Sequence, residues 1–221
     1  MIEVYVEKGQ KRTFAGAIEW PGWCRSAKDE AGAVQALLDY GPRYGQVLKG
    51  TSIKFVPPGK LAELKVVERL KGGSTTDFGA PEVPPRADGA KLAAAELKRL
   101  EAILIACHRR LEAAAKSAKG KHLRTGPRGG GRDLAKMLDH IRDAEKGYIS
   151  SLGWKDPKLQ PSTTVLAPVL AAAVRGMRAS VAGEIAAVGP RGGKRWSARY
   201  FVRRAAWHVL DHAWEIEDRI E

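Results

Sequence analysis

Cysteine is scarce in this chain: Cys24 and Cys107 are the only two in 221 residues, and they stand far apart. Two distant thiols exclude a disulfide framework, and without a CxxC pair the usual cysteine zinc sites are excluded too. Long apolar runs are also missing. The best of them, VLAPVLAAAV at 165–174, stops at Arg175, short of the roughly 18 residues that a membrane span needs. The first residues, MIEVYVEKGQ, lack the basic-then-apolar order of a signal peptide. The expectation is therefore a cytoplasmic protein with no membrane partner. Acid is in short supply against base, with 25 Asp and Glu facing 38 Lys and Arg, a formal charge of +13. That balance suits nucleic acid, small anionic ligands or plain solubility. Few aromatics interleave with the basic runs, and no reader motif stands out, so nucleic acid is the weaker partner class.

The apolar share, 44 %, belongs to a folded protein with enough chain for one large or two small domains. Residues 1–75 read as a small α+β domain. IEVYVE (2–7) alternates, RTFAGAIEW (12–20) is β-prone, and GQK between them makes a hairpin turn. After the PGW break, SAKDEAGAVQALLDY (26–40) has helical spacing at Ala33, Val34, Ala36, Leu37 and Leu38, with Ser26 or Asp29 as N-cap. TSIKFVP (51–57) and AELKVVERL (62–70) read as further strands. KGGSTTDFGAPEVPPRADGA (71–90) is a Gly/Pro-rich break, and its residues 76–90 are expected to be a linker.

Beyond it the composition turns to alanine, leucine and charge. Four long helices are expected, over 91–118, 131–152, 163–188 and 197–221, and they predict an antiparallel four-helix bundle at 91–221. The connection GWKDPKLQPS is longer than a tight turn and leaves room to cross the bundle. One element repeats, TGPRGGGRD at 125–133 and VGPRGGKRW at 188–196, each before a helix. With successive helices antiparallel, both loops fall at one end, where helix N-termini favour anions. Arg128 and Arg191 are the candidate cofactor-binding cations there; an exposed basic loop without a ligand is the other reading.

The last helix contains WHVLDHAWEIEDR (207–219), and the second contains MLDHIRDAEKGYISSLGW (137–154). His208 and His212 are four apart and point the same way. His140 on a facing helix would complete three imidazoles with open positions, a catalytic-type site for zinc, nickel or another divalent ion. Histidines that are merely buried polar rings are the alternative. Glu215, three residues after His212, is the candidate catalytic acid–base group or surrogate ligand, against an ordinary helix carboxylate. Trp207 and Trp214 suit packing more than substrate stacking.

These two segments together resemble the DinB/YfiT-like family over roughly 90–221. The resemblance implies a four-helix bundle in which one histidine of the second helix and an HxxxH pair of the fourth bind a divalent metal. For some members it implies thiol S-transfer with a low-molecular-weight thiol, and often a homodimer. His140 matches the second-helix ligand, with Glu145 five residues on as in the family. In the last helix many members read H-x3-H-x3-H before Arg-Gly-Gln, with the second and third histidines as ligands. Here His208 and His212 align with the first and second, Ile216 stands at the third, and EDR replaces RGQ. Either the pair is shifted by one turn or the site is metal-free.

FAGAIEWPGWCRSAKDEAGAVQALLDY (14–40) resembles the HicB-like antitoxin domain, which implies a small α+β fold over 1–75. The DNA-binding segment usual in such antitoxins is absent, so only the fold carries over. Cys24, after the turn, is either reactive or a small buried thiol. The functions in contention are a metal-dependent thiol transferase or hydrolase acting on a small-molecule ligand or thiol, and a non-catalytic binding or regulatory module with a degenerate site.

Overall fold

The structure, a computed structural model, describes residues 1–125 and 132–221. The chain is mixed α+β and divides into two compact units, Met1–Ala90 and Lys91–Glu221.

The first unit is a four-stranded sheet with helices. Strands β1 (Ile2–Lys8) and β2 (Thr13–Ala17) form the expected antiparallel hairpin, with Val4 opposite Ala17 and Lys8 opposite Thr13. β3 (Cys24–Ala27) pairs antiparallel with β2, and β4 (Leu64–Lys71) runs parallel to β1, so the order is β3-β2-β1-β4. Helix α1 (Glu30–Asp39) starts later than its spacing suggests, because Cys24–Ala27 is taken into the sheet. Asp29 caps it by accepting from Gly32 N at 2.8 Å. α2 (Gly41–Val47) follows and carries Tyr44, which stacks on Trp23 with ring centroids 5.8 Å apart. Both rings are fully buried and both are satisfied: Trp23 Nε1 donates to the Leu37 carbonyl and Tyr44 OH to that of Pro21.

Two expectations fail in this unit. Residues 51–57 form no strand; Pro57 and Pro58 bring no N–H to a ladder, and Phe55 packs instead on Trp20, Trp23 and Tyr44. Residues 76–90 are not a free linker but part of the first unit. Helix α3 (Ser74–Phe78) holds Asp77 against the hairpin turn, where its carboxylate accepts from Gln10, Lys11 and Arg12 N. The Glu7 carboxylate, fully buried, accepts from Thr76 Oγ1, Glu82 N and Val83 N. A buried carboxylate without donors is costly, and the folded Gly/Pro segment supplies them. Burial still raises the Glu7 pKa, while the three amides hold that of Asp77 down.

The second unit packs α4 (Ala94–Ala118), α5 (Leu134–Leu152), α6 (Leu166–Val181) and α7 (Ala198–Arg219). Asp133 and Ser197 cap α5 and α7 through Lys136 N and Tyr200 N. α6 ends seven residues before expected, at Gly183 with φ 80°, where Glu184 N bonds back to the Ala179 carbonyl. Contacts at the helix ends set the directions. Arg199 pairs with Glu96 where α4 and α7 begin, and Arg124 N bonds Arg219 O where they finish, so these two are parallel. Trp196 N bonds Ser151 O at one end of α5, and Arg219 Nη2 bonds Arg132 O at the other, so α5 is antiparallel to α7. Arg178, late in α6, pairs with Glu101, early in α4. The arrangement is thus up, down, down, up, and not antiparallel throughout.

The α5–α6 connection makes this possible by doubling back along α5. Lys146 Nζ donates to the carbonyls of Pro161 and Thr163. Asp156, its side chain fully buried, takes two bonds from Arg175, one from Trp154 Nε1 and one from Lys158 N. Trp154 lies so close to Gly176 that a Cβ there would meet its ring at 2.9 Å.

Candidate metal centre

Because α5 and α7 run antiparallel, the second turn of α5 meets the middle of α7. His140 therefore faces His208 and His212, which lie one above the other at i, i+4. The three rings touch pairwise, with centroids 5.1 Å apart for His140–His208 and His140–His212 and 4.7 Å for His208–His212. One donor nitrogen from each lies within 4.8 Å of the others. His140 Nε2 and His208 Nε2 stand 3.2 Å apart. Two nitrogens at about 2.1 Å from one tetrahedral zinc would be about 3.4 Å apart, so this pair is spaced as two ligands of a single ion are.

Electrostatics favour neutral rings with free lone pairs. Burial pushes the His208 pKa well below its ordinary value, and His212, His140, Arg204 and Arg132 push the same way. Burial and then His212 and Arg132 lower that of His140. His140 and His208 thus resist protonation, and the neutral ring is the state a divalent ion requires.

Glu215 stands in a different role from the expected one. Its Oε2 meets His212 Nδ1 at 3.0 Å, and its Oε1 accepts from Arg219 Nη1 at 2.9 Å. Arg219 is itself anchored on the Arg124 and Arg132 carbonyls. The bond to His212, then Arg219, keeps the Glu215 pKa low. A carboxylate on Nδ1 fixes the ring and leaves Nε2 as the metal-facing nitrogen. Both oxygens are in use, so Glu215 positions His212. Ile216, where a further histidine was expected by resemblance, is fully buried in the core.

The described flanks of the two Gly-rich repeats lie at opposite ends of α7. Arg128 lies outside the described residues. Arg191 is exposed in a hairpin closed by Gly189 N to Gly193 O, just before α7. His208 is about 15 Å along the helix from Ala198 at 1.5 Å per residue. Arg124 and Arg132, which flank the first repeat, are bonded at the opposite end of α7. Parallel packing of α4 and α7 is what separates the two ends.

Sequence reasoning also missed two neighbours of the histidines. Tyr148, eight residues after His140, brings its ring to 5.6 Å from His208 and 5.4 Å from Trp196. Arg204, four before His208, lies over Tyr148 and Trp207. Helical spacing from the histidines was the available signal. Behind them, Glu145 makes a buried 3.0 Å pair with His108 across the core. Cys107 beside it is fully buried, and burial followed by the Glu145 charge drives its thiol pKa up, away from reactivity. Cys24 is likewise a buried thiol, accepting from Tyr5 OH.

Among the described residues, no helix is long and apolar enough to cross a membrane. No family model, curated protein or solved structure matches the chain.

Proposed function

We propose that His140, His208 and His212 hold a divalent ion, zinc or nickel, and that the protein is a metal-dependent enzyme of the thiol S-transferase type. In this reading residues 91–221 are a DinB/YfiT-like bundle and the first unit is a HicB-like α+β domain. One observation carries it: three imidazole donors, from two helices, within 4.8 Å of one another. Such a set leaves open positions, the mark of a catalytic rather than a structural site. A bound ion supplies Lewis acidity, lowering the pKa of a thiol or water so that a nucleophile exists at neutral pH.

The chain's own residues prepare that step. Burial and mutual repulsion keep His140 and His208 deprotonated. Glu215 and Arg219 hold His212 in one tautomer. The Tyr148 and Trp207 rings lie against His208 and give that side of the site an apolar wall. The departure at Ile216 is then a shift of the ligand pair by one turn.

A second reading, a binding or regulatory module with a metal-free site, has its own support. His140 Nε2 and His208 Nε2 at 3.2 Å are within hydrogen-bond reach and satisfy one another without an ion. Metal analysis of protein prepared without a histidine tag separates the two. The enzyme reading expects one zinc or nickel per chain, lost in His140→Ala and His212→Ala. Wild type with no stoichiometric metal, and no thermal stabilisation by added zinc or nickel, would leave the histidines a structural pair.

A further inference from the structure

Strand β4 ends the sheet of the first unit, and its outer side is open. In the order β3-β2-β1-β4 it pairs with β1 alone. Among the described residues, no backbone N–H or C=O of Leu64–Lys71 finds a partner on the other side. An unpaired edge is a template for a further strand, and proteins commonly shorten such edges, interrupt them with proline or cover them. β4 is eight residues long and has no proline. Its charge and its shape say what it would take. Arg69 is answered by Glu30, and Glu68 by Arg86 through N and Nε. Lys65 and Lys71 are exposed and, among the described residues, in no ion pair, so the uncompensated charge is positive at both ends of the edge. In between, the register with β1 slips and leaves Val67 without an opposite residue. Val67 is 42 % exposed. Beside it opens a surface cavity of 260 Å³, lined by Ile18, Val67 and Ala87 and by the Glu68–Arg86 pair.

We propose that β4 is a docking edge for an extended, acidic peptide segment of a partner protein, which joins the sheet as a fifth strand. Main-chain bonds to Leu64–Lys71 supply the affinity of such an addition, and side-chain contacts choose the sequence. Carboxylates of the segment meet Lys65 and Lys71. Alternate side chains of a strand point to one face, so one of them reaches the cavity at Val67. A second copy of β4 is the wrong occupant, because it would set its own two lysines against these two, and like charges across a strand pair repel. The edge belongs to Met1–Ala90 and is independent of the metal reading.

The test reads amide hydrogen exchange of the full chain by NMR, with synthetic peptides as probes. The first is an acetylated octapeptide of alternating glutamate and valine, and the second has lysine in place of glutamate. The third is the first with alternate backbone nitrogens methylated, which keeps its charge and removes the donors that a ladder needs. In the dilute chain the β4 amides that point away from β1 are expected to exchange freely, and the glutamate peptide should slow them. It should bind about 10-fold more tightly than the lysine peptide at low salt, with the gap closing as salt rises. Lys65→Glu combined with Lys71→Glu should reverse the preference, since both side chains are exposed and the fold does not use them. No slowing by the glutamate peptide, equal slowing by the methylated one, or an affinity no greater than that of the lysine peptide overturns the docking edge. A preference that the double variant keeps does so too. Outward amides already slow in the dilute chain, or slowed by chain concentration alone, also overturn it, because the strand is then covered by its own chain or by a second copy.

Discussion

His212 depends on its immediate neighbour, and that dependence can be measured. Glu215 holds His212 through Nδ1 and is held in turn by Arg219. Replacing it by glutamine keeps the shape but removes the charge that fixes the tautomer. Glu215→Gln is expected to weaken zinc affinity about 10- to 100-fold, read by competition with a chromophoric chelator, without abolishing binding; unchanged affinity would reduce Glu215 to a surface group. The His108–Glu145 pair makes a separate prediction about pH. Burial disfavours a charged His108, but the adjacent Glu145 carboxylate outweighs it and the pKa ends above 6.5. A base whose pKa rises on folding contributes its stability in full below the unfolded value and loses it as pH climbs through the folded one. The melting-temperature gap between wild type and His108→Gln should be widest near about pH 6 and narrow towards about pH 9. A gap that widens with pH would mean the ring is neutral in the fold. At this scale much was legible: i, i+4 spacing named His208 and His212, and His140 followed from the helix that faces them. Arg204 and Tyr148 were not, because an arginine or tyrosine on a long helix is common and only packing shows which one meets the histidines.

Elements were readable where periodicity alone decides and unreadable where a partner does. The hairpin of β1 and β2, helix α1 and the four long helices follow from alternation and spacing, with Asp29 a cap legible at α1. β3 exists because β2 offers an edge to Cys24–Ala27, a tertiary fact that four residues cannot announce. Residues 51–57 have a strand's composition but end at Pro57, with Pro58 next, and Phe55 finds an aromatic cluster instead of a ladder. The Gly/Pro segment at 76–90 looked like a linker because composition hides that Glu7, on β1, needs its amides. The α5–α6 connection is the element on which helix direction turns. Asp156 ties it to Arg175 of α6, and Arg175 with Trp154 and Lys158 N holds the Asp156 pKa far below the usual carboxylate range. Asp156→Ala removes the acceptor of four bonds and strands Arg175. It should cost about 2–4 kcal/mol in urea denaturation, while Lys158→Ala, whose backbone amide alone is used, should cost little. Equal effects of the two would show that the connection is not pinned at Asp156.

For the molecule as a whole, helix direction decides which groups can cooperate. Antiparallel succession would have brought both Gly-rich repeats to one end, and with them Arg128 and Arg191 to a shared anion site. The doubling back of residues 153–165 makes α5 and α6 parallel instead, so Arg191 and the flanks of the first repeat stand at opposite ends of α7. The same choice sets α5 antiparallel to α7 and brings His140 level with His208 and His212. All three histidines, with Glu215, Arg219, Tyr148 and Arg204 around them, belong to residues Lys91–Glu221. The metal binding proposed above would then be linked to the unfolding of these four helices. A ligand at 100 times its Kd stabilises the state that binds it by about 2.7 kcal/mol. Calorimetry of the full chain with and without zinc is expected to raise the transition that His140→Ala and His212→Ala leave unmoved by metal. A fragment of residues 91–221 should show the same rise, because it carries all of the donors. A rise of the same size in the His212→Ala chain would place the ion elsewhere. One seen in the full chain but not in a folded fragment would overturn the assignment of the site to these helices alone.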